Sequence, residues 1–290
     1  MIGRKAGLPV HVSHLKVLHK RGRTRKDRVD GVLDVFRHYR GQGLEMTFDV
    51  HPYPATCTSL SSVAIPPQVA RCGGLRDRLQ SARVRRQLSG EIAGRIGWFG
   101  GADRVTVASF GSTPGVEGRS LAQIATSRGT SVANTAMDLV VEGNPTCIFH
   151  ALRPKDVARI VCDPNGMIAS DAGVAPSRRG VVHPRNYGTF PRIIREYVRE
   201  GGLLTLEYAV RKMTSLPART FGFRDRGTIV PEMKADLVVF DPIRIADRAT
   251  FEHPHRFPSG IKAVIVNGKI AWDGTHVSSD RSGRVLKRQD

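Results

Sequence analysis

Short apolar runs alternate with helix-like patterns along most of this chain, and this alternation most constrains the fold. The strand-like runs begin at Val10, Leu44, Val105, Thr146 and Met167. Each is bounded by glycine or proline, or followed by a segment of helical periodicity. Strands that alternate with helices favour a parallel α/β sheet. We therefore predict an α/β region over residues 1–222.

The pattern changes after about Gly222. Two strand-like runs there flank Asn267-Gly268, a dipeptide typical of a two-residue β-hairpin turn. Another apolar run over residues 235–240 ends at an Asp-Pro pair. We predict a small C-terminal β module over residues 223–290.

The chain is strongly basic, with 45 Lys and Arg against 26 Asp and Glu and a formal net charge of +19. Such a charge leaves a non-enzymatic, nucleic-acid-binding protein open as an alternative. However, the densest basic run, residues 16–28, contains no Phe, Tyr or Trp side chain on which a base could stack. We interpret this run as a solvated loop and do not expect nucleic acid as a partner.

No apolar run approaches the roughly 20 residues that a membrane span needs. The first residues also lack the apolar segment of a secretory signal. The four cysteines form no CxxC pair, and we expect reduced thiols. These features predict a cytoplasmic protein with no membrane partner.

Three side chains directly follow strand-like runs: His14, His51 and Asp171. In a parallel barrel the catalytic residues lie at these carboxyl ends of the strands. Imidazole and carboxylate are usual zinc ligands, and a carboxylate can also accept a proton during hydrolysis. A lone histidine at a strand end is more often a packed residue, and a lone aspartate is more often a cap. The three together favour a zinc site.

Several motifs then follow in a specific order: Val12-Ser13-His14-Leu15-Lys16, Asp49-Val50-His51-Pro52-Tyr53, Gly118-Arg119-Ser120-Leu121, Ser170-Asp171, His183-Pro184-Arg185, Tyr187-Gly188-Thr189-Phe190-Pro191-Arg192 and Ala235-Asp236-Leu237-Val238-Val239-Phe240. With them the chain resembles the D-aminoacylases, or N-acyl-D-amino-acid deacylases, of the amidohydrolase superfamily. The resemblance extends over nearly the whole chain.

This resemblance implies a zinc-dependent (β/α)8, or TIM-type, barrel that hydrolyses the amide bond of N-acyl-D-amino acids. Residues 1–222 would supply barrel strands 5–8. His14 matches a metal ligand, and Asp171 matches an aspartate that binds metal and acts as general base. His51 stands where a further ligand is expected, although the family usually has tyrosine there.

The resemblance also implies a substrate-binding group. Arg185 would pair with the substrate carboxylate through two hydrogen bonds. Tyr53, Tyr187 and His183 would line the pocket around it.

The family carries further elements before the region that matches Val10, including a His-x-His strand end and a metal-binding cysteine. We therefore expect this chain to correspond to the C-terminal portion, with an incomplete zinc site and impaired activity by itself. A split enzyme completed by another chain, or by a second copy, is an alternative. A non-enzymatic basic binding protein is another.

Overall fold

The computed structural model describes residues 2–18, 28–71, 73–111, 113–173 and 180–287. Its strands are β1 (Val10–Val12), β2 (Met46–Val50), β3 (Thr56–Ser59), β4 (Val105–Ser109), β5 (Thr146–Phe149), β6 (Gly166–Ile168), β7 (Leu237–Phe240), β8 (Ile261–Val266) and β9 (Lys269–Trp272). Its α-helices are α1 (Ile2–Ala6), α2 (Arg28–Gly41), α3 (Leu60–Ala64), α4 (Pro67–Ala70), α5 (Leu75–Gln80), α6 (Ala82–Trp98), α7 (Leu121–Ser127), α8 (Val132–Glu142), α9 (Pro154–Cys162), α10 (Arg185–Arg192), α11 (Leu206–Met213) and α12 (Ser215–Phe221). A π-helical segment, Ile193–Glu200, continues α10.

A parallel sheet in the order β1-β2-β6 holds the strand ends that the sequence singles out. Val10 pairs with Met46, and Phe48 pairs with Gly166. Helices α2 and α9 contact β2, and Phe36 and Ile160 join Phe48 in one buried cluster. Because the strands are parallel, their carboxyl ends meet at one edge.

A second sheet, in the order β3-β5-β4, is antiparallel and corrects the predicted parallel arrangement. The sequence identifies β4 and β5 as strands, but their pairing depends on tertiary packing. Residues 56–149 leave the parallel sheet after β2 and build a separate buried cluster among α3, α6, α7 and α8. Among the described residues the parallel sheet thus has three strands, where barrel strands 5–8 would give four.

The third sheet confirms the small β module expected near the C-terminus. Its strands are antiparallel in the order β7-β8-β9. Asn267 and Gly268 join β8 to β9 with φ angles of 48° and 78°. Two consecutive positive φ angles are what a type I′ hairpin turn requires.

A buried carboxylate joins the segment before β8 to α10 and to the π-helical segment that continues it. Asp247 Oδ2 accepts a bond of 3.2 Å from Arg192, and its Oδ1 accepts one of 2.6 Å from Arg195. Gly188 lies against this contact, since a Cβ there would come within 2.6 Å of Tyr53 Oη and 2.7 Å of Asp247 Cβ. The glycine therefore permits a close approach of three segments.

A buried lysine supports the turn that leads into β6. Lys212, on α11, is fully inaccessible to solvent. Its Nζ donates to the carbonyl oxygens of Asp163 and Gly166, the latter at 2.7 Å. Burial lowers the pKa of this ammonium group from 10.5 to about 8.

Within the described ranges, no helix is both long and apolar enough to cross a membrane. Cys57, Cys147 and Cys162 are free thiols, as expected. Most of the basic run, residues 19–27, lies outside the described residues, as does Cys72.

Candidate active site

The predicted strand-end residues His14 and Asp171 lie side by side. His14 Nε2 is 3.1 Å from Asp171 Oδ1. Both residues have left-handed backbone, with φ of 59° and 50°. Such a conformation costs a non-glycine residue about 1–3 kcal/mol and is concentrated at functional sites. The turns after β1 and β6 therefore hold two residues in an uncommon backbone conformation, and their side chains lie within 3.1 Å of each other.

Asp49, on β2, fixes the orientation of His14. Its Oδ1 accepts from the His14 backbone N–H at 2.8 Å and contacts the ring Nδ1 at 3.1 Å. A carboxylate can only accept, so the His14 ring proton lies on Nδ1. Nε2 then carries a lone pair and lies 3.1 Å from Asp171 Oδ1. Two electron-rich atoms at this distance need a second ring proton or a cation between them.

A metal ion fits this pair in part. Zinc ligands lie about 2.0–2.2 Å from the ion, so two ligands of a tetrahedral site are about 3.4 Å apart. The 3.1 Å between His14 Nε2 and Asp171 Oδ1 suits two such ligands. Within the part of the chain that the structure describes, however, no three His, Cys, Asp or Glu side chains form a metal-holding group.

His51 is buried near the pair but is not grouped with it. Its ring forms a three-membered cluster with those of Tyr53 and His183, at centroid distances of 6.4 and 5.8 Å. Burial, followed by the nearby Arg185 charge, lowers the pKa of His51 to about 2, and neither ring nitrogen has a hydrogen-bond partner among the described residues. Asp49, which precedes it by two residues on the same strand face, takes the place beside His14.

Two cationic side chains face the other oxygen of Asp171. Arg185 Nη1 donates to Asp171 Oδ2 at 2.6 Å. Lys16 Nζ lies 3.5 Å from the same oxygen and donates to Thr56 Oγ1 at 3.0 Å. Burial lowers the pKa of Lys16, and the Asp171 charge opposes that effect. Arg185 is thus already engaged on one side, while its buried Nε has no partner among the described residues.

His183 orients Arg185, and its place in the pocket lining stays a prediction. Its Nε2 donates to the Ala55 carbonyl at 3.1 Å, and its Nδ1 accepts from the Arg185 backbone N–H at 3.1 Å. The side chain is buried, and burial lowers its pKa to about 3. Both nitrogens are therefore used within the protein.

The two predicted pocket tyrosines have different surroundings. Tyr53 is buried, with its ring edge-on to His183 at 5.3 Å and the Arg192 guanidinium 4.8 Å above its centroid. Its hydroxyl has no partner among the described residues. The Tyr187 hydroxyl instead contacts His255 Nδ1 at 3.1 Å.

Sequence reasoning missed the contribution of Asp49 and of the Lys16 ammonium group. Asp49 and His51 share one face of β2, because side chains alternate along a strand. That spacing could have indicated that a carboxylate would reach His14. Lys16 gives no comparable signal, because a basic residue in a basic segment is uninformative.

Comparison with known proteins identifies proteins that are similar to this chain. Residues 128–271 match the model of the amidohydrolase family. The chain is 34% identical over 288 residues to a D-aminoacylase of Alcaligenes xylosoxydans xylosoxydans, covering 99% of this chain and 50% of the relative. It is 32% identical to an N-acyl-D-glutamate deacylase of the same organism, again covering 99% of this chain and 50% of the relative.

Solved structures similar to this chain come from the same kinds of protein. An N-acyl-D-glutamate deacylase from Bordetella bronchiseptica, complexed with zinc and a phosphonate inhibitor, superposes with a TM-score of 0.76 at 32% identity. A D-aminoacylase with a binuclear metal centre gives a TM-score of 0.78 at 32% identity. In both cases 99% of this chain and 51% of the other are covered.

The chain therefore resembles the amidohydrolase family over residues 128–271. Over nearly its whole length it is similar to D-aminoacylases and N-acyl-D-amino-acid deacylases, as the sequence motifs predicted. It spans about half the length of the curated relatives that it matches.

Proposed function

We propose that this chain contributes to a metal-dependent hydrolase that cleaves the amide bond of N-acyl-D-amino acids. One observation carries the proposal. His14 Nε2 lies 3.1 Å from Asp171 Oδ1, and the contact of its Nδ1 with Asp49 leaves Nε2 unprotonated in the neutral ring. A divalent cation between these atoms would satisfy both of them.

His14 and Asp171 would hold the ion, and zinc there would supply Lewis acidity toward the scissile carbonyl. Asp171 would also accept a proton as general base. Lys16 and Arg185 hold its Oδ2 in place through contacts of 3.5 and 2.6 Å. The unpartnered Nε of Arg185 is the group that we assign to the substrate carboxylate.

We further infer that residues 1–222 derive from a (β/α)8 barrel, with residues 56–149 inserted after its β2, and that residues 223–290 form the β module. A catalytic zinc site needs about three protein ligands, and His14 and Asp171 supply two. A complementing chain, or a second copy of this chain, would supply the remainder. In support, β1 and β6 each pair with β2 alone among the described strands, and an open sheet edge readily accepts another strand.

The test measures zinc binding and enantiomer-selective hydrolysis together. The wild-type chain, Asp171→Asn and the control Asp34→Asn are titrated with zinc. Asp34 is an exposed residue of α2, paired with Arg37. Hydrolysis of N-acetyl-D-glutamate and N-acetyl-D-methionine is compared with that of the L forms.

We expect zinc affinity to fall at least tenfold in Asp171→Asn and to stay unchanged in Asp34→Asn. We expect weak, D-selective turnover by the chain alone. Fast turnover by the chain alone would contradict the incomplete site. The proposed function would be contradicted by the absence of both zinc binding and D-selective hydrolysis. This applies to the chain alone and to its mixtures with candidate complementing chains.

A further inference from the structure

A second histidine lies behind the His14–Asp171 pair and has no part in the function proposed above. His11, on β1, places Nε2 2.8 Å from Asp49 Oδ2 and Nδ1 2.8 Å from Thr47 Oγ1. Its side chain is 16% exposed, and the Phe221 ring packs edge-on against it at 5.1 Å. Two side-chain hydrogen bonds and a ring contact therefore hold the imidazole.

The strand register produces this arrangement. His11 pairs directly with Thr47 across the parallel β1–β2 ladder. Asp49 follows Thr47 by two residues and so lies on the same face of β2. His11 can therefore reach both side chains at once. Its position in β1 decides this, since a shift of one residue would turn the ring to the opposite face.

The direction of each hydrogen bond follows from the carboxylate. Asp49 only accepts, so His11 donates from Nε2 and carries a lone pair on Nδ1. The Thr47 hydroxyl then donates to that lone pair. On its other oxygen, Asp49 receives the backbone N–H and the ring Nδ1–H of His14. Proton donors thus occupy both oxygens of Asp49.

We propose that His11 is a positioning residue that sets the tautomer of His14 by fixing the Asp49 carboxylate. Without its donor, Oδ2 of this buried carboxylate loses a hydrogen bond, and the carboxylate is free to rotate about χ2. The bond to His14 Nδ1 then weakens, and the tautomer with a proton on Nε2 gains population. That proton would occupy the position that the proposed function assigns to the metal ion, and in this respect the inference rests on that function.

The tautomers can be measured directly in the metal-free chain, independently of activity. Two-bond 1H–15N correlation spectra of the imidazoles are recorded at a pH where the rings are neutral. The signals of His14 are assigned by their loss in His14→Gln. The variants are His11→Leu, which removes the donor, His11→Gln, whose amide can still donate to Asp49, and Thr47→Val. The control is His38→Leu, an exposed position on α2.

We expect the wild-type His14 to carry its proton on Nδ1, with His11→Leu shifting its 15N signals toward a mixture of tautomers. His11→Gln should restore most of the wild-type pattern, Thr47→Val should give an intermediate pattern, and His38→Leu should change nothing. Zinc affinity should fall about 10- to 100-fold in His11→Leu, the range typical for partners of metal-bound histidines. Thermal unfolding of each variant separates this effect from a loss of fold.

Two results would overturn the inference: wild-type His14 signals in a folded His11→Leu chain, or a His14 proton on Nε2 in the wild type. The proposed function fails separately. If the tautomer shifts as described but the wild type binds no zinc, the positioning role stands and the metal-dependent function does not.

Discussion

The buried Lys212 gives the clearest quantitative prediction. The free-energy cost of burying its charged ammonium group makes the stability of the fold depend on pH. Its pKa is lowered from 10.5 to about 8, first by burial, with Asp163 opposing. At about 1.4 kcal/mol per pH unit, this corresponds to about 3 kcal/mol. Between pH 8 and 10.5 the Lys212 amine carries its extra proton in the unfolded chain but has lost it in the folded chain. The free energy of unfolding from this group therefore rises with pH across that window.

Other groups oppose this trend, so the measurement is a difference between two proteins. Burial raises the pKa of Cys147 to about 12 and that of Tyr197 further, so both lower stability as pH rises. Urea unfolding of wild type and Lys212→Met at pH 7, 8, 9, 10 and 11 cancels these shared contributions. We expect wild type to gain about 3 kcal/mol relative to Lys212→Met from pH 7 to 11. A difference that stays flat across this range would refute the reasoning.

Two further changes test the contacts around α10. Asp247→Asn should lower the free energy of unfolding by about 2 kcal/mol, because two partly exposed arginines lose a buried carboxylate. The control Asp34→Asn removes an exposed ion pair and should lower it by less than about 0.5 kcal/mol. Equal effects of the two substitutions in urea unfolding would contradict this prediction. Gly188→Ala should lower the free energy of unfolding by about 1–3 kcal/mol, since the new Cβ would meet Tyr53 Oη and Asp247 Cβ. The control Gly31→Ala adds a Cβ in open space and should not destabilise the fold. Thermal unfolding compares the two variants.

The sequence predicted the strand ends well, because a short apolar run that stops at a polar residue is a local signal. His14 and Asp171 were identified in this way and lie in contact. The partner of each strand is not local information. For that reason β4 and β5 were recognised as strands but assigned to the wrong kind of sheet.

Hydrogen-bond partners set the roles of the remaining polar residues, and sequence patterns do not contain them. Both nitrogens of His183 are satisfied inside the protein, which no sequence pattern indicated. Asp49 was overlooked although its spacing from His51 places both on one side of the strand, because the histidines that it contacts lie on another strand. The roles of Arg185 and His51 in substrate and metal binding remain predictions.

The long segment between β2 and β6, which includes residues 56–149, has a consequence for the order of folding. Phe48 must find Gly166 far along the chain, and closing so long a loop slows folding. The intervening segment has its own buried cluster, and it begins and ends at one point, where Leu152 N–H donates to the Pro54 carbonyl at 3.1 Å. If this segment collapses first, it brings the two strands together as a short tether would. Its cooperative formation would then be the nucleation event on which the parallel sheet, and with it the His14–Asp171 contact, depends.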